Sequence, residues 1–386
     1  MQSKTWAGRN RWQLGLMLAL LLLFPFVAAN FGNSWVRIMD YALLYIMLAL
    51  GLNIVVGFAG LLDLGYVAFY AMGAYLTGLL ASPQFALTLE SFAAHFPAAG
   101  AWLLALCGPD VAQRGLHLPA WLVVPLCAVA AGTLGALLGA PTLKLRGDYL
   151  AMVTLGFGEV IRLLIINLNN PINLTDGPSG VNMIDPVSVL GVSLHGEPGA
   201  HGNLVFGDHA MPSVNAYYFL FLALCLVIVF VTMRLQGSRL GRAFLAIRED
   251  EMAAMAMGIN TRNVKLLAFA MGASFGGVAG SMFASFQGFI SPESFSLSES
   301  ITILAMVILG GMGHVSGVIL GAILLAALPE VLRHMVEPLQ RAAFGEVLVP
   351  AEIMRVAMVG AAMVLVMLTH PAGLWPRPAH EKLGFQ

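Results

Sequence analysis

Charged and polar side chains inside apolar runs are the residues of this sequence that are best placed to do chemistry. Glu159 and Arg162 lie three positions apart, so they can pair on one face of a helix. A charge in hydrocarbon costs at least ~2.5–3.5 kcal/mol on insertion scales, so it normally faces a cavity or a partner. Such groups are typical of a route for a solute through a membrane. The candidate pathway residues are Asn53, Asp63, Thr154, Glu159, Arg162 and Asn167.

Each of these residues also has a plainer structural interpretation. Glu159 and Arg162 can form an ion pair that only fixes how helices pack. Asp63 lies near the start of an apolar run, where Asp suits a helix N-terminus, so it can be an interfacial cap. The neutral residues need hydrogen-bond partners in either case. The sequence leaves both interpretations open.

A second group of charges lies outside the apolar runs, in residues 234–265, which we call the charged segment. Residues 244–257 are rich in helix-forming Ala, Leu, Met, Arg and Glu, and Gly258 follows as a helix stop. We therefore expect one short helix outside the bilayer. The positive-inside rule places it in the cytoplasm. Its six basic residues are Arg234, Arg239, Arg242, Arg248, Arg262 and Lys265, and its acidic residues are Glu249, Asp250 and Glu251.

The composition defines the scaffold that must hold these groups. The chain has 386 residues, of which 59% are hydrophobic and 10% are charged, with a mean hydropathy of +0.84. A soluble domain carries roughly 25% charged residues. The sequence thus predicts an all-α, polytopic transmembrane helical bundle in a single domain. A net charge of -1 without a large basic patch argues against nucleic-acid binding. Its three cysteines lie in apolar surroundings without a CxxC pair, so neither a disulfide framework nor a metal cluster is expected.

Apolar runs of about 20 residues predict about ten membrane spans. The run from Leu14 to Ala29 follows basic residues, and we interpret it as an uncleaved first helix, with a secretory signal as the alternative. Ala98–Cys107 is too short for a span and is interpreted as re-entrant or interfacial. The other spans are Val36–Gly57, Leu62–Ala81, Leu118–Ala140, Tyr149–Leu168, Ala216–Met233, Leu266–Ser285, Ser298–Gly313, Val315–Arg333 and Ile353–Leu368.

The distribution of basic residues predicts the orientation of these spans. Placing the N-terminus inside puts most of the 19 Lys and Arg residues in the cytoplasm, and both termini are then cytoplasmic. Two outer loops are long, Ser82–His117 and residues 169–214, and we call the second the long loop. The long loop is rich in Gly, Pro, Asn, Asp and His and has no helical period. It is expected to lack secondary structure, either as a docking surface or as a disordered tether.

Glycines within the spans predict how the helices meet. Gly272, Gly276 and Gly280 are four residues apart, which lets helices approach closely. A glycine cluster at residues 310–313 interrupts an apolar run and predicts a tight cytoplasmic turn or a broken helix. Motifs for catalysis are absent, because the sequence contains no P-loop, HExxH or GxSxG. A catalytic function therefore has little support.

Four stretches together resemble one family. They are GLNIVVGFAGLLDLGYVAFYAMGAY from Gly51, KLRGDYLAMVTLGFGEVIRLL from Lys144, GRAFLAIREDEMAAMAMGIN from Gly241 and VILGGMGHVSGVILGA from Val307. The ending HPAGLWP from His370 also fits. The chain is similar, from about Tyr41 to Pro376, to permease subunits of bacterial ABC importers, in the branched-chain amino-acid branch.

This resemblance implies a role for the charged segment. Importer permeases carry an EAA-x-x-x-G pattern on a short cytoplasmic helix that docks into the ATPase subunit. The resemblance implies that Ala253, Ala254 and Gly258 form the docking face and that residues 242–251 lock its orientation. Two positions depart from the pattern, since Met252 stands at the glutamate position and Asp176 stands where relatives commonly have glycine. The implied coupling residues are Arg242, Arg248, Glu251, Met252, Ala253, Ala254 and Gly258.

The resemblance also implies partners and leaves the substrate open. It implies a second homologous permease chain, two ATP-binding cassette subunits, a periplasmic or extracellular substrate-binding protein and a bacterial inner membrane. No cofactor is expected in this chain, since the partner subunits bind ATP. Urea or short amides are an alternative to branched-chain amino acids. An ion-coupled secondary transporter would carry several intramembrane carboxylates, and a membrane-embedded enzyme or scaffold is the third class.

Overall fold

A computed structural model describes most of the chain, in residues 21–26, 28, 33–142, 145, 147–189, 192–194, 203–206, 209–344, 351–369 and 373–374. The first part of the predicted Leu14–Ala29 span and most of the HPAGLWP ending lie outside these residues. Among the described residues the structure is mainly α-helical, as predicted. The α-helices are α1 (Asn33–Leu52), α2 (Val67–Leu80), α3 (Gln84–His95), α4 (Pro97–Arg114), α5 (Ala120–Thr142), α6 (Asp148–Asn167), α7 (Ser213–Gln236), α8 (Arg239–Glu249), α9 (Glu251–Ala256), α10 (Thr261–Gln287), α11 (Leu297–Gly310), α12 (Val315–Phe344) and α13 (Ala351–Thr369).

The predicted spans after the first each overlap a helix, but the helices differ in length. A helix needs about 20 apolar residues to cross a bilayer. Among the described residues, five helices are long and apolar enough, at Ser34–Phe58, Ala120–Thr142, Asp148–Asn167, Ser213–Gln236 and Thr261–Gln287. Three apolar helices are shorter, at Val67–Leu80, Leu297–Gly310 and Val315–Pro329. The predicted span Leu62–Ala81 begins later than expected, because residues 62–66 are not helical.

Helix α10 lies at the centre of the bundle and packs against α1, α2 and α5. Its glycines allow backbones to touch, as predicted. A Cβ atom added at Gly73 of α2 would lie 2.1 Å from the carbonyl oxygen of Gly277, and one at Gly280 would lie 2.1 Å from that of Tyr70. The Tyr66 hydroxyl donates to the Gly272 carbonyl at 3.0 Å. Small residues at these positions thus position α1, α2 and α5 around one helix.

Two interruptions of helical geometry lie near each other in the bundle. A π-helix, Asn53–Phe58, follows α1 directly, and all six of its residues are buried. The second interruption is residues 311–314 between α11 and α12, which we call the helix break. Gly311 and Gly313 adopt positive φ angles of 112° and 83° there, a conformation that favours glycine. The sequence predicts a tight turn or a broken helix here, and the structure has a turn, because α11 and α12 pack against each other on either side of it.

The long loop carries secondary structure of its own, so the expectation of an unstructured loop is wrong. A 3₁₀ turn spans Gly177–Ser179. Two antiparallel hairpins follow, β3–β4 and β5–β6. The dipeptide Gly207-Asp208 between β5 and β6 is a hairpin signal that the sequence already contained. The strands are β1 (Ala81–Ser82), β2 (Leu116–His117), β3 (Ser188–Val189), β4 (Val192–Ser193), β5 (Asn203–Phe206) and β6 (His209–Pro212).

The other long loop contains helices α3 and α4, and Ala98–Cys107 lies within α4. Gly108 interrupts that helix with a φ of 80°. The departure at Asp176 has a structural reason, because this residue adopts a left-handed φ of 56°. Asp tolerates that conformation better than most residues, although glycine adopts it at lower cost. The Asp176 N–H also donates to the side-chain oxygen of Asn173 at 2.8 Å.

Candidate functional site

The charged segment folds into two helices rather than the single helix predicted from its composition. Helices α8 and α9 meet at Asp250, which has an extended backbone. Asp250 caps α9, since its Oδ1 accepts from the backbone N–H of Met252 at 2.8 Å and of Ala253 at 3.1 Å. Ser238 caps α8 in the same manner by accepting from Gly241 N–H. Asp at a helix N-terminus satisfies free amide groups and competes with continued helix, so the break follows from the sequence.

The inner face of the charged segment packs against its own chain. Phe244 and Ile247 of α8 are buried, as is Ala254 of α9 at 3% exposure. Ala254 therefore faces its own bundle in this chain, and its role in docking stays a prediction. Ala253 is exposed on the neighbouring position. Neighbouring residues of a helix point in different directions. The sequence pattern alone did not indicate which alanine faces inward.

An ion pair ties α9 to the beginning of α10. The Lys265 Nζ donates to Glu251 Oε1 at 2.5 Å, and the two side chains are 5% and 22% exposed. Glu251 had been expected to lock the orientation of the segment, and this contact gives it a partner within the chain. A buried ammonium without a partner is strongly unfavourable. The pair therefore holds α9 against the bundle.

A second polar contact joins α8 to the π-helix. The Arg248 Nη1 donates to the Gly57 carbonyl at 2.5 Å. The stem of Arg248 packs on Gly60, where an added Cβ would lie 2.9 Å from its Cγ. Arg248 was expected to contact or orient an ATPase. Its guanidinium instead bonds to a carbonyl of the membrane-embedded part of this chain.

The outer face of the charged segment exposes apolar side chains. Met252, Met255 and Met257 are 61%, 41% and 83% exposed, and we call them the methionine face. Arg242 in the first turn of α8 and Gly258 after α9 are also exposed. Gly258 adopts a φ of 84°, so the predicted helix stop is confirmed. Exposed methionines on a polar surface are typical of a protein-binding site, because their flexible side chains adapt to a partner.

The six candidate pathway residues do not converge on one site. Asp63 and Thr154 line a common cavity between α2, α5, α6 and α10. Thr154 Oγ1 accepts from the Leu64 N–H at 3.1 Å, and Asp63 Oδ1 accepts from the Gly65 N–H at 2.9 Å. Asp63 thus stabilises the non-helical residues before α2 and does not cap the helix itself, so the interfacial-cap interpretation is wrong. It is 2% exposed.

The remaining candidates lie elsewhere. Asn53 is fully buried at the start of the π-helix and accepts from the Gly313 N–H at 2.8 Å. Glu159 and Arg162 pair on one face of α6 as predicted, at 3.5 Å, but their side chains are 38% and 32% exposed. Glu159 is thus not deep in this chain. Asn167 is exposed and donates to the carbonyl of its own helix at Leu163.

Sequence reasoning missed a pocket near the C-terminal end of α10, away from the charged segment. Its walls include Thr77 of α2, together with Ser281 and Ser285 of α10. Thr77 donates to Ser281 at 2.8 Å. At its mouth, His117 Nδ1 lies 2.6 Å from Asp185 Oδ2. Ser and Thr within apolar runs were visible in the sequence, but their convergence required the packing of α2 on α10.

Asp40 is a further buried charge that sequence reasoning did not single out. It lies in α1 and is fully buried. Neither carboxylate oxygen has a hydrogen-bond partner among the described residues. A charge within a predicted span was the available signal. Asp40 does not line the Thr77 pocket or the Asp63 cavity described above.

Comparison with known proteins shows which sequences this chain is similar to. Residues 34–367 match the family described as branched-chain amino acid transport system / permease component. The chain is 38% identical over 366 residues to the high-affinity branched-chain amino acid transport system permease protein LivM of Escherichia coli K12, covering 93% of this chain and 73% of the relative. LivM of Salmonella typhimurium is 37% identical over the same lengths. The LivH permease of Escherichia coli K12 is 25% identical, covering 88% of this chain and 93% of LivH. No solved structure matches.

Proposed function

Since the chain belongs to the family of permease components of branched-chain amino acid transport systems, we propose that it is a membrane subunit of an ATP-driven importer. Its substrates are branched-chain or related hydrophobic amino acids. It forms the translocation pathway with a second homologous permease chain. Two ATP-binding cassette subunits and an extracytoplasmic binding protein complete the complex. The names of the LivM and LivH relatives support both the substrate class and the paired permeases.

This proposal includes an orientation in the inner membrane. The chain has about ten spans with both termini in the cytoplasm, and the charged segment lies on the cytoplasmic side. The excess of basic residues in that segment supports this orientation. The long loop and the pocket beside Asp185 then face outward. The binding protein docks at that end, beside the hairpins β3–β4 and β5–β6.

The observation that carries the proposal is the two-sided construction of the charged segment. Its inner face is anchored by Glu251 and Lys265, and its outer face presents the methionine face with Arg242 and Gly258. An anchored helix pair can transmit force from a partner, whereas a loose loop cannot. Apolar side chains that are exposed in the isolated chain gain stability when a partner covers them. We assign the ATPase subunit to this surface.

The test is uptake by the reconstituted complex. The chain is purified with the products of neighbouring reading frames and placed in proteoliposomes with the cognate binding protein. We expect uptake of labelled leucine that requires internal ATP and the binding protein, without uptake of labelled urea. Urea uptake under the same conditions would reassign the substrate. Leucine uptake that follows an ion gradient without ATP would contradict the importer proposal.

A further inference from the structure

The π-helix is held at both ends by polar contacts from distant parts of the chain. Near its C-terminal end, Gly57 accepts a hydrogen bond from Arg248 of α8. At its first residue, Asn53 accepts from Gly313 in the helix break. Arg248 lies 191 positions from Gly57, and Gly313 lies 260 positions from Asn53. Two distant parts of the sequence therefore contact the same six-residue helix. A π-helix is rare and is frequently found at functional sites.

Each contact satisfies a group that helix geometry leaves free. Gly57 lies in the last turn, where carbonyl groups have no partner further along the helix. The N–H of Gly313 lies after the end of α11, in a stretch without regular secondary structure. The guanidinium bond is charge-assisted and stronger than a neutral hydrogen bond. Loss of the Arg248 bond therefore removes a charge-assisted donor from the carbonyl of a buried residue.

The packing between the two contacts leaves little freedom for independent movement. A Cβ atom added at Gly57 would lie 2.0 Å from Asn53 Oδ1 and 2.5 Å from Gly313 N. Gly60 similarly packs under the stem of Arg248, with a φ of 70° that favours glycine. A displacement of α8 consequently acts on the same few residues that touch the helix break. Close packing of this kind transmits displacement because cores are poorly compressible.

We propose that the π-helix Asn53–Phe58 mechanically links the charged segment to the break between α11 and α12, with Arg248 and Asn53 as the positioning residues at its two ends. Movement of α8, driven by a partner on the methionine face, displaces Gly57 through Arg248. Asn53 passes this displacement to Gly313, which changes the angle between α11 and α12. The inference rests on the proposed function, since that function supplies the driving partner.

This link explains why Arg248 points inward although it lies in the charged segment. The contacts of α9 to α10 through Glu251 and Lys265 anchor the segment, while Arg248 connects it to a different element. The Glu251–Lys265 pair alone would hold the segment in place without passing its movement to the π-helix. A purely structural bond at Arg248 would affect assembly and stability, whereas a transmitting bond affects the response to nucleotide.

The first test compares Arg248→Gln with Arg239→Gln in the full complex. Both substitutions remove one positive charge from an exposed residue of α8, but Arg239 lies at the opposite end of that helix from the Arg248–Gly57 bond. We expect both variants to retain co-purification of the ATPase and basal ATP hydrolysis. Arg248→Gln should lower leucine uptake per ATP hydrolysed by about ten-fold, within the range of allosteric coupling. Arg239→Gln should match the wild type, and Arg248→Lys should recover part of the loss.

The second test reads the helix break directly. Met312 is exposed in that break, and Met312→Cys in a background without other cysteines permits labelling by a maleimide. In the wild-type complex we expect the labelling rate to change when ATP is added. Arg248→Gln and Asn53→Ala should each abolish that change. This readout does not depend on transport of any particular substrate.

The outcomes separate the inference from the proposed function. If the wild-type complex takes up leucine with ATP but Arg248→Gln transports and labels as the wild type does, the link is rejected. If Arg248→Gln fails to assemble, Asn53→Ala decides, and normal nucleotide-dependent labelling in that variant would reject the link. If the wild-type complex shows no ATP-dependent uptake, the proposed function fails first.

Discussion

The two ends of α10 are built by different kinds of interaction. At its N-terminal end, long side chains reach between elements, as in the Lys265–Glu251 and Arg248–Gly57 contacts. At its C-terminal end, backbone bonds also join distant elements, including Val181 N–H to Ile290 O at 2.9 Å and its reciprocal at 3.0 Å. A contact made by a charged side chain is lost with a single substitution. A bond between two backbone groups is not removed in this way.

The side-chain ion pairs at the two ends sharpen this contrast. Lys265 and Glu251 are 5% and 22% exposed, whereas His117 and Asp185 at the other end are 43% and 38% exposed. Removing one partner of a buried pair leaves an uncompensated charge, while an exposed pair contributes little in water. This difference indicates that the position of the charged segment depends on the buried Lys265–Glu251 pair. The following variants test this.

The largest effect is expected for Glu251→Ala, which leaves the Lys265 ammonium buried without this carboxylate. We expect the packed charged segment to lose about 3 kcal/mol of stability. Proteolysis of residues 234–265 in detergent should then be roughly 100-fold faster, since each 1.4 kcal/mol is a factor of ten. The double variant Glu251→Leu/Lys265→Met should restore resistance because no charge remains unpaired. Wild-type resistance of Glu251→Ala would contradict the anchor.

An intermediate effect is expected for Ala254→Trp, because Ala254 is buried against the bundle. Overpacking of this kind costs about 1–3 kcal/mol. The matched control is Ala253→Trp on the exposed face of the same helix, which should leave protease resistance unchanged and weaken ATPase co-purification. Thermal unfolding and co-purification of both variants separate the inner face from the outer one. Equal unfolding temperatures for the two variants would contradict the assignment of Ala254 to the inner face and of Ala253 to the outer face of α9.

The smallest effect is expected for Asp185→Asn at the opposite end of α10. The His117–Asp185 pair is half-exposed, so its loss should change stability by less than about 1 kcal/mol. In 1 M salt, where the screening length is about 3 Å, even this difference should vanish. The Glu251→Ala effect should persist in the same salt, because a buried pair is screened much less. Thermal unfolding at low and high salt measures both, and a large, salt-resistant loss for Asp185→Asn would remove the contrast between the ends.

Hydropathy predicted the helices well because the length of an apolar run is a local property. The predicted span Tyr149–Leu168 and the observed helix Asp148–Asn167 differ by one residue at each end. Local signals also placed the helix stop at Gly258 and the turn at residues 311–314. The kink at Asp250 carried a local signal as well, and sequence reasoning did not use it.

Hydropathy was less informative about the candidate site, because the position of a polar residue within an apolar run does not indicate which residues it will contact. Glu159, Arg162 and Asn167 lie on one helix and remain partly or fully exposed in this chain. Asp63 and Thr154 meet across a sequence distance of about 90 residues, through Leu64. Their roles in a pathway stay predictions. Which polar groups share a cavity depends on the packing of α2 against α6, which no local pattern contains.

By itself, the sequence determined a helical membrane protein, the approximate extent of its helices and the separate, charged character of residues 234–265. Those properties depend on composition and on neighbours a few positions away. Only the tertiary structure decided that Ala254 faces inward, that Glu251 meets Lys265, and that Arg248 bonds to Gly57. The physical reason is that each of these depends on which surface of one helix meets which surface of another. Glycines on α1, α2 and α10 set that geometry by allowing backbone contact, and the partners of the polar side chains follow from it.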